Sequence, residues 1–151
     1  PQPKIKTVVL KELLDKVAQL MRTEIKKKTI AFSVTYESEY LSVQADAEMI
    51  EQVLINLVKN SIEALSDTPN GRIDMRASYT AGAVIIDVSD NGPGIIKEAL
   101  NRIFVPFFTT KKTGSGIGLS LSRQIMQMHH GSLSVESEPG VKTVFRLKFG
   151  A

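Results

Sequence analysis

Apolar residues recur at helical spacing in three stretches of this chain and at β-rich, partly alternating spacing in the segments between them. Leu10, Leu13, Leu14, Val17, Leu20 and Met21 fall on one side of a 3.6-residue period, which predicts an amphipathic helix over residues 10–27. Two β-rich runs follow at 30–36 and 40–44. A second helix is predicted from Ala47 to about Ser66, with Asp46 as its N-cap. Pro69-Asn70-Gly71 reads as a turn, and residues 72–79 and 83–89 as neighbouring strands joined through Gly82. A third helix is predicted over 117–130, closed by Gly131. Two last strands, 132–137 and 141–149, turn at Glu138-Pro139-Gly140. Strands gathered around three helices predict an α+β fold, a two-layer α/β sandwich with a mixed, mostly antiparallel sheet packed on those helices.

Composition narrows the class. The chain has 151 residues, 42% of them hydrophobic and 23% charged, which suits one compact domain with a single core. It has no cysteine, no run of about 18 apolar residues and no signal-peptide pattern, so a cytoplasmic setting is expected. The net charge is only +3, and the one dense basic run, Lys26-Lys27-Lys28, falls where the first helix ends and cations suit the helix dipole. Without interleaved aromatics, nucleic acid is not an expected partner.

The stretch from Asp90 to Gly114 shows no periodicity. Structureless connections beyond about 12 to 15 residues are uncommon in a compact domain and are usually functional, so this one is expected to be a lid. Phe104, Phe107 and Phe108 would anchor it beside Thr109, Thr110, Lys111 and Lys112, which offer hydroxyls and cations.

The second helix is apolar on most of its surface, through Ile50, Val53, Leu54, Leu57 and Leu65 on one face and Ile55 and Ile62 on another. Its narrow polar strip holds Gln52, Asn56, Lys59, Asn60 and Glu63, with Asn56 and Asn60 one turn apart. A solvent stripe would explain the strip, and does so best for Lys59. Asparagine is a poorer helix former than lysine or glutamate by a few tenths of a kcal/mol, so a pair in mid-helix also suggests that their amide oxygens serve a ligand. One amide oxygen plus a polyphosphate suffices for Mg2+, which keeps waters and shares phosphate oxygens.

Downstream, Asp90 ends a strand and precedes Asn91-Gly92-Pro93-Gly94. A plain turn explains those residues. In a pocket, however, a carboxylate that only accepts hydrogen bonds would select the exocyclic amine of adenine over the carbonyl of guanine. Gly114, Gly116 and Gly118 lead into the third helix, whose amides and dipole suit phosphate. Their spacing matches neither the P-loop nor a dinucleotide fingerprint.

Taken together, these segments resemble the four signature boxes of sensor histidine kinases. Residues 52–65, with Asn56 and Asn60, resemble the N box, and Asp90-Asn91-Gly92-Pro93-Gly94-Ile95 the first glycine box. Residues 104–111 resemble the F box, and Gly114-Ser115-Gly116-Ile117-Gly118-Leu119 the second glycine box. The resemblance implies the Bergerat ATP-binding fold shared with gyrase and MutL, with ATP and Mg2+ as ligands. It implies magnesium binding by Asn60, contact of Asn56 with phosphate or its water shell, and adenine recognition by Asp90. It also implies contacts from both glycine boxes, Gly92, Gly94 and Ile95 included, under a lid that contains the F box. Asn56, Asn60 and Glu63 are the catalytic candidates. One departure is His130-Gly131-Ser132, where such proteins often carry His-Gly-Gly.

A histidine kinase also needs a phosphoacceptor histidine on a helical hairpin, usually followed by an acidic residue. The only histidines, His129 and His130, sit at a helix end and are expected to be structural. The resemblance therefore implies a catalytic half, residues 7–151, with residues 1–6 as the stub of a connection to an upstream dimerisation and phosphoacceptor domain. It further implies a cognate response regulator and a homodimeric parent that can be membrane-anchored, with the isolated fragment monomeric. Two alternatives stand beside it: an ATPase of the same fold, and a degenerate nucleotide-binding scaffold. Hydrolytic relatives place a glutamate where this chain has Asn56, and an amide cannot act as that base.

Overall fold

The computed structural model describes residues 2–106 and 118–150. In chain order the elements are β1 (Lys6–Val9), α1 (Leu10–Lys27), β2 (Ala31–Tyr36), β3 (Ser42–Ala45), α2 (Ala47–Ala64), β4 (Arg72–Thr80), β5 (Ala83–Asp90), α3 (Lys97–Leu100), α4 (Gly118–Met128), β6 (Ser132–Glu138) and β7 (Lys142–Phe149). Five strands form one sheet in the order β2-β4-β5-β7-β6, antiparallel throughout except for the parallel β2–β4 pair. Helix α1 lies against β2, α2 against β4 and β5, and α4 against β6, with α2 between the other two. This is the expected two-layer sandwich.

Burial follows the predicted faces. Leu10, Leu13, Leu14, Val17, Met21 and Ile25 of α1 join Ile50, Val53, Leu54, Leu57, Val58 and Ile62 of α2 in a core closed by Ile73, Met75, Ile86, Val88, Phe145 and Leu147 of the sheet. Burying a side chain of this size contributes on the order of 1.5 to 3 kcal/mol, so this interface supplies most of the drive to fold. Leu20 departs from its period and is 54% exposed. The opposite face of the sheet is polar: Arg146 donates to Asp87 at 2.8 and 3.2 Å and reaches Glu136 at 3.4 Å. Chiefly the Asp87 hydrogen bonds raise the guanidinium above its ordinary value.

Local chemistry sets the ends of the elements. The Asp46 carboxylate accepts from Met49 N–H at 3.2 Å, capping α2 as its sequence predicts. The β4–β5 hairpin closes on Ala81 and Gly82, both at positive φ (52° and 82°), the geometry of a two-residue type I′ turn. At the end of α4 the left-handed residue is His130 (φ 57°), not Gly131. His130 N–H reaches Gln127 O and Gly131 N–H reaches Met126 O, closing a Schellman motif around the histidine. Glycine is required at 131 for another reason: a Cβ there would collide with the Lys148 carbonyl of β7.

Two elements depart from expectation. Strand β1 pairs antiparallel with β3, apart from the main sheet, and its first residue is Lys6. The stretch expected to be structureless after Asp90 is packed over its described part: it contains α3, buries Ala99 and Ile103, and rests Phe104 on the core. Apolar residues spaced Ile95, Ala99, Ile103 supply that packing.

Candidate functional site

Helix α2 organises the site, because its apolar face is locked into the core and its polar strip is thereby aimed the other way. Asn56 and Asn60 are both half-buried, while Lys59 and Glu63 are exposed. The Asn56 amide faces α4. Its Nδ2 donates to Ser122 Oγ at 3.3 Å, and a Cβ at Gly118 would collide with its carboxamide. Without a side chain at 118, the start of α4 approaches the Asn56 carboxamide as it stands. Two turns further along α2, a Cβ at Gly92 would come within 3.3 Å of the Ala64 carbonyl. The strip thus runs from the start of α4 to the Asp90 turn, over about 12 Å at 1.5 Å per residue.

At the second end, Asp90 is 5% exposed at the last position of β5, between Ile73 of β4 and Thr143 of β7. Its Oδ1 accepts from Gly92 N–H at 2.9 Å. Asn91 staples the neighbouring turn, accepting from Arg72 N–H at 2.6 Å and donating to Asn70 O at 3.0 Å. The glycine-rich segment then folds against the β6–β7 turn. Gly140 N–H donates to Pro93 O at 2.7 Å and Ile95 N–H to Ser137 Oγ at 2.7 Å. Gly94 has φ 76°, and a Cβ on it would stand 2.8 Å from Glu138 O. The glycines at 92 and 94 are thus needed for protein packing, in addition to any room they leave for a flat ligand.

Of the remaining candidates, Phe104 is half-buried with the Arg123 guanidinium 4.7 Å from its ring centroid, and Leu119 and Ile95 pack partly buried on the core. Thr109, Thr110, Lys111, Lys112, Gly114, Ser115, Gly116 and Ile117, with Phe107 and Phe108, lie outside the described residues. His129 is structural: Nε2 accepts from Asp46 N–H at 3.0 Å and Nδ1 lies 2.8 Å from Ile125 O. That pair of bonds matches a neutral ring protonated at Nδ1.

Three polar residues escaped the sequence reading. Thr143 is 4% exposed beside Asp90 on the face that Phe145, Leu147 and Phe149 share, and Ser122 is 3% exposed on the α4 face of Ile125 and Met126. Ser137 bridges the first glycine segment and β7, with its Oγ 3.3 Å from Thr143 Oγ1. The available signal was a hydroxyl at a position where the period demands an apolar side chain.

The donor set suits a hard cation shared with phosphate. Among the described residues no group of three or more His, Cys, Asp or Glu could hold a metal alone. What α2 offers is neutral amide oxygen, which fits Mg2+ only when a polyphosphate supplies further ligands.

Residues 45–151 match the family described as histidine kinase-, DNA gyrase B-, and HSP90-like ATPases. The chain is 35% identical over 140 residues to sporulation kinase A of Bacillus subtilis (strain 168), covering 93% of this chain and 23% of that protein. It therefore spans about a quarter of that relative's length. The catalytic domain of histidine kinase ThkA superposes with a TM-score of 0.88 at 37% identity, covering 97% of this chain and 95% of that one. The same kinase in complex with response regulator protein TrrA gives a TM-score of 0.83 at 35% identity, covering 97% of this chain and 42% of that one.

Proposed function

The chain belongs to the family of histidine kinase-, DNA gyrase B-, and HSP90-like ATPases, and we propose that it is the catalytic, ATP-binding domain of a sensor histidine kinase. In this reading it binds Mg-ATP and presents the γ-phosphate to an imidazole supplied by another domain. The carrying observation is the single polar strip of α2 that links the buried Asp90 carboxylate to the Asn56–Gly118 junction at the start of α4. One end suits a purine amine and the other a polyphosphate.

Asp90 accepts from the exocyclic amine of adenine, and its burial makes that bond selective, because a guanine carbonyl there would face a second acceptor. Thr143 lines the same end. Asn60 offers its amide oxygen to Mg2+, and Asn56 orients the phosphates or their water shell. The metal, when bound, neutralises phosphate charge. The first turn of α4 adds backbone N–H groups and the positive end of its dipole. Catalysis on this account is positioning and charge neutralisation, with no nucleophile from this chain. Glu63, exposed on α2, is assigned no proton transfer.

The remaining proposals follow from the family. Residues 1–6 would connect residues 7–151 to a dimerisation and phosphoacceptor domain, and a response regulator would receive the phosphoryl group. The ThkA–TrrA complex supports the last. No described helix is long and apolar enough to cross a membrane, so any anchoring of the parent would come from elsewhere in it. The test is to mix this chain with the purified histidine-bearing hairpin of its parent and ATP labelled at the γ-phosphate. Label is expected on the hairpin in an acid-labile, base-stable bond. Label found only in ATP and inorganic phosphate would overturn the reading.

A further inference from the structure

The buried face of α4 carries one hydroxyl that its packing does not call for. Ser122 shares that face with Ile125 and Met126 and is 3% exposed, a setting that favours a small apolar side chain. A hydroxyl left without a partner there would cost on the order of 1 to 3 kcal/mol. Its partner is Asn56 Nδ2, at 3.3 Å across the α2–α4 interface. The same carboxamide occupies the space that a Cβ on Gly118 would need, so α4 approaches it at two places: at Ser122 one turn in, and at the first residue of the helix.

We propose that Ser122 is a positioning residue for the phosphate end of the site. By taking the Nδ2 hydrogen bond, it turns the amide oxygen of Asn56 toward the N-terminal end of α4, where polyphosphate and its metal approach. Asn56 sits at mid-helix with free rotation about χ2, and nothing in α2 itself fixes which end of its amide faces that way. Loss of the hydroxyl lets the amide turn, and its N–H pair then faces the metal's water shell, whose donating waters need an acceptor oxygen there. This deepens the Mg-ATP reading and rests on it. Ser122 touches no substrate in this role and acts only through Asn56.

The test is a double-mutant cycle read by calorimetric ATP affinity, with Mg2+ and with EDTA, on the wild-type chain, Ser122→Ala, Asn56→Ala and the double variant. Wild type must bind ATP more tightly with Mg2+; if it does not, the Mg-ATP reading itself fails. Given that tightening, Ser122→Ala is expected to lose about three- to tenfold of Mg2+-dependent affinity, the size of one hydrogen bond, and to leave affinity in EDTA unchanged. In the Asn56→Ala background the same change should cost less than twofold, since the residue it acts through is gone. Ser122→Cys, which keeps the volume and weakens the acceptor, should fall between and guards against an Ala variant that folds poorly. Equal losses with and without Mg2+, or a Ser122 effect that persists in full without Asn56, would overturn the proposal.

Discussion

The two ends of the α2 strip are built by different means. The Asp90 end is assembled from strand ends, and its glycine segment is tied to the β6–β7 hairpin by one backbone bond, Gly140–Pro93, and one bond from the Ile95 amide to the Ser137 hydroxyl. The Asn56 end is made where two helices meet, with one side-chain hydrogen bond to Ser122 and a close approach at Gly118. Strand ladders hold neighbouring atoms at fixed spacing, which suits a rigid purine ring read by one carboxylate. Helix–helix contacts are set by side chains, which suits a polyphosphate whose geometry changes during reaction. Under the proposed function, base recognition would belong to the sheet and phosphate handling to the helices.

The sharpest way to break that division is at Asp90. Asp90→Asn keeps the volume and inserts donors where acceptors are needed, and ATP affinity should fall by tenfold to about a hundredfold, measured by calorimetry. An unchanged affinity would remove the base end from the account. Next is Gly94→Ala, which adds a Cβ 2.8 Å from Glu138 O at a positive φ. It should lower unfolding free energy by about 1 to 3 kcal/mol in urea titration, showing that the base end is held by the hairpin turn. Asn60→Ala should cost roughly tenfold in affinity with Mg2+ and little in EDTA; an equal loss in both would deny Asn60 a metal role.

The smallest effect expected is at the far end of α2. There Asp46 caps the helix and its N–H donates to His129, just past the end of α4, which ties the two helices together. Asp46→Ala should cost about 1 kcal/mol of stability. Hydrogen bonds from Lys4 N–H first and Met49 N–H second hold the Asp46 carboxyl below the usual carboxylate range. A group with a lowered folded value contributes stability that is present above its unfolded value, near 3.9, and lost as pH falls through the folded one. The capping stabilisation should therefore be intact at neutral pH and fade below about pH 4. Comparing wild-type and Asp46→Ala urea midpoints at about pH 7 and pH 3 checks this, with the gap between them narrowing in acid.

Much of this was legible because the information was local. The α2 cap, the apolar faces of α1 and α2, the β4–β5 hairpin and the adjacency of Asn56 and Asn60 all follow from spacing within a few residues. What escaped depends on distant partners. Strand β1 is four residues long and exists through its pairing with β3, some 35 residues away in the chain. Ser122, Ser137 and Thr143 read as small polar residues until α2, the Ile95 amide and Asp90 are set beside them. Gly131 is the residue expected to close α4; the left-handed position falls on His130, while Gly131 makes the close approach to the Lys148 carbonyl. The F-box phenylalanines divide similarly: Phe104 is half-buried against the core with Arg123 over its ring, and its partners Phe107 and Phe108 fall outside the described residues.

Under the proposed function, one cleft reads adenine at Asp90 and holds a metal-bound polyphosphate along α2. Calorimetric titration of the wild-type chain with ATP and GTP, each with Mg2+ and with EDTA, tests both halves at once. The account predicts ATP binding that tightens with Mg2+ and GTP binding at least tenfold weaker under every condition. Equal affinity for the two nucleotides, or an ATP affinity indifferent to the metal, would contradict it.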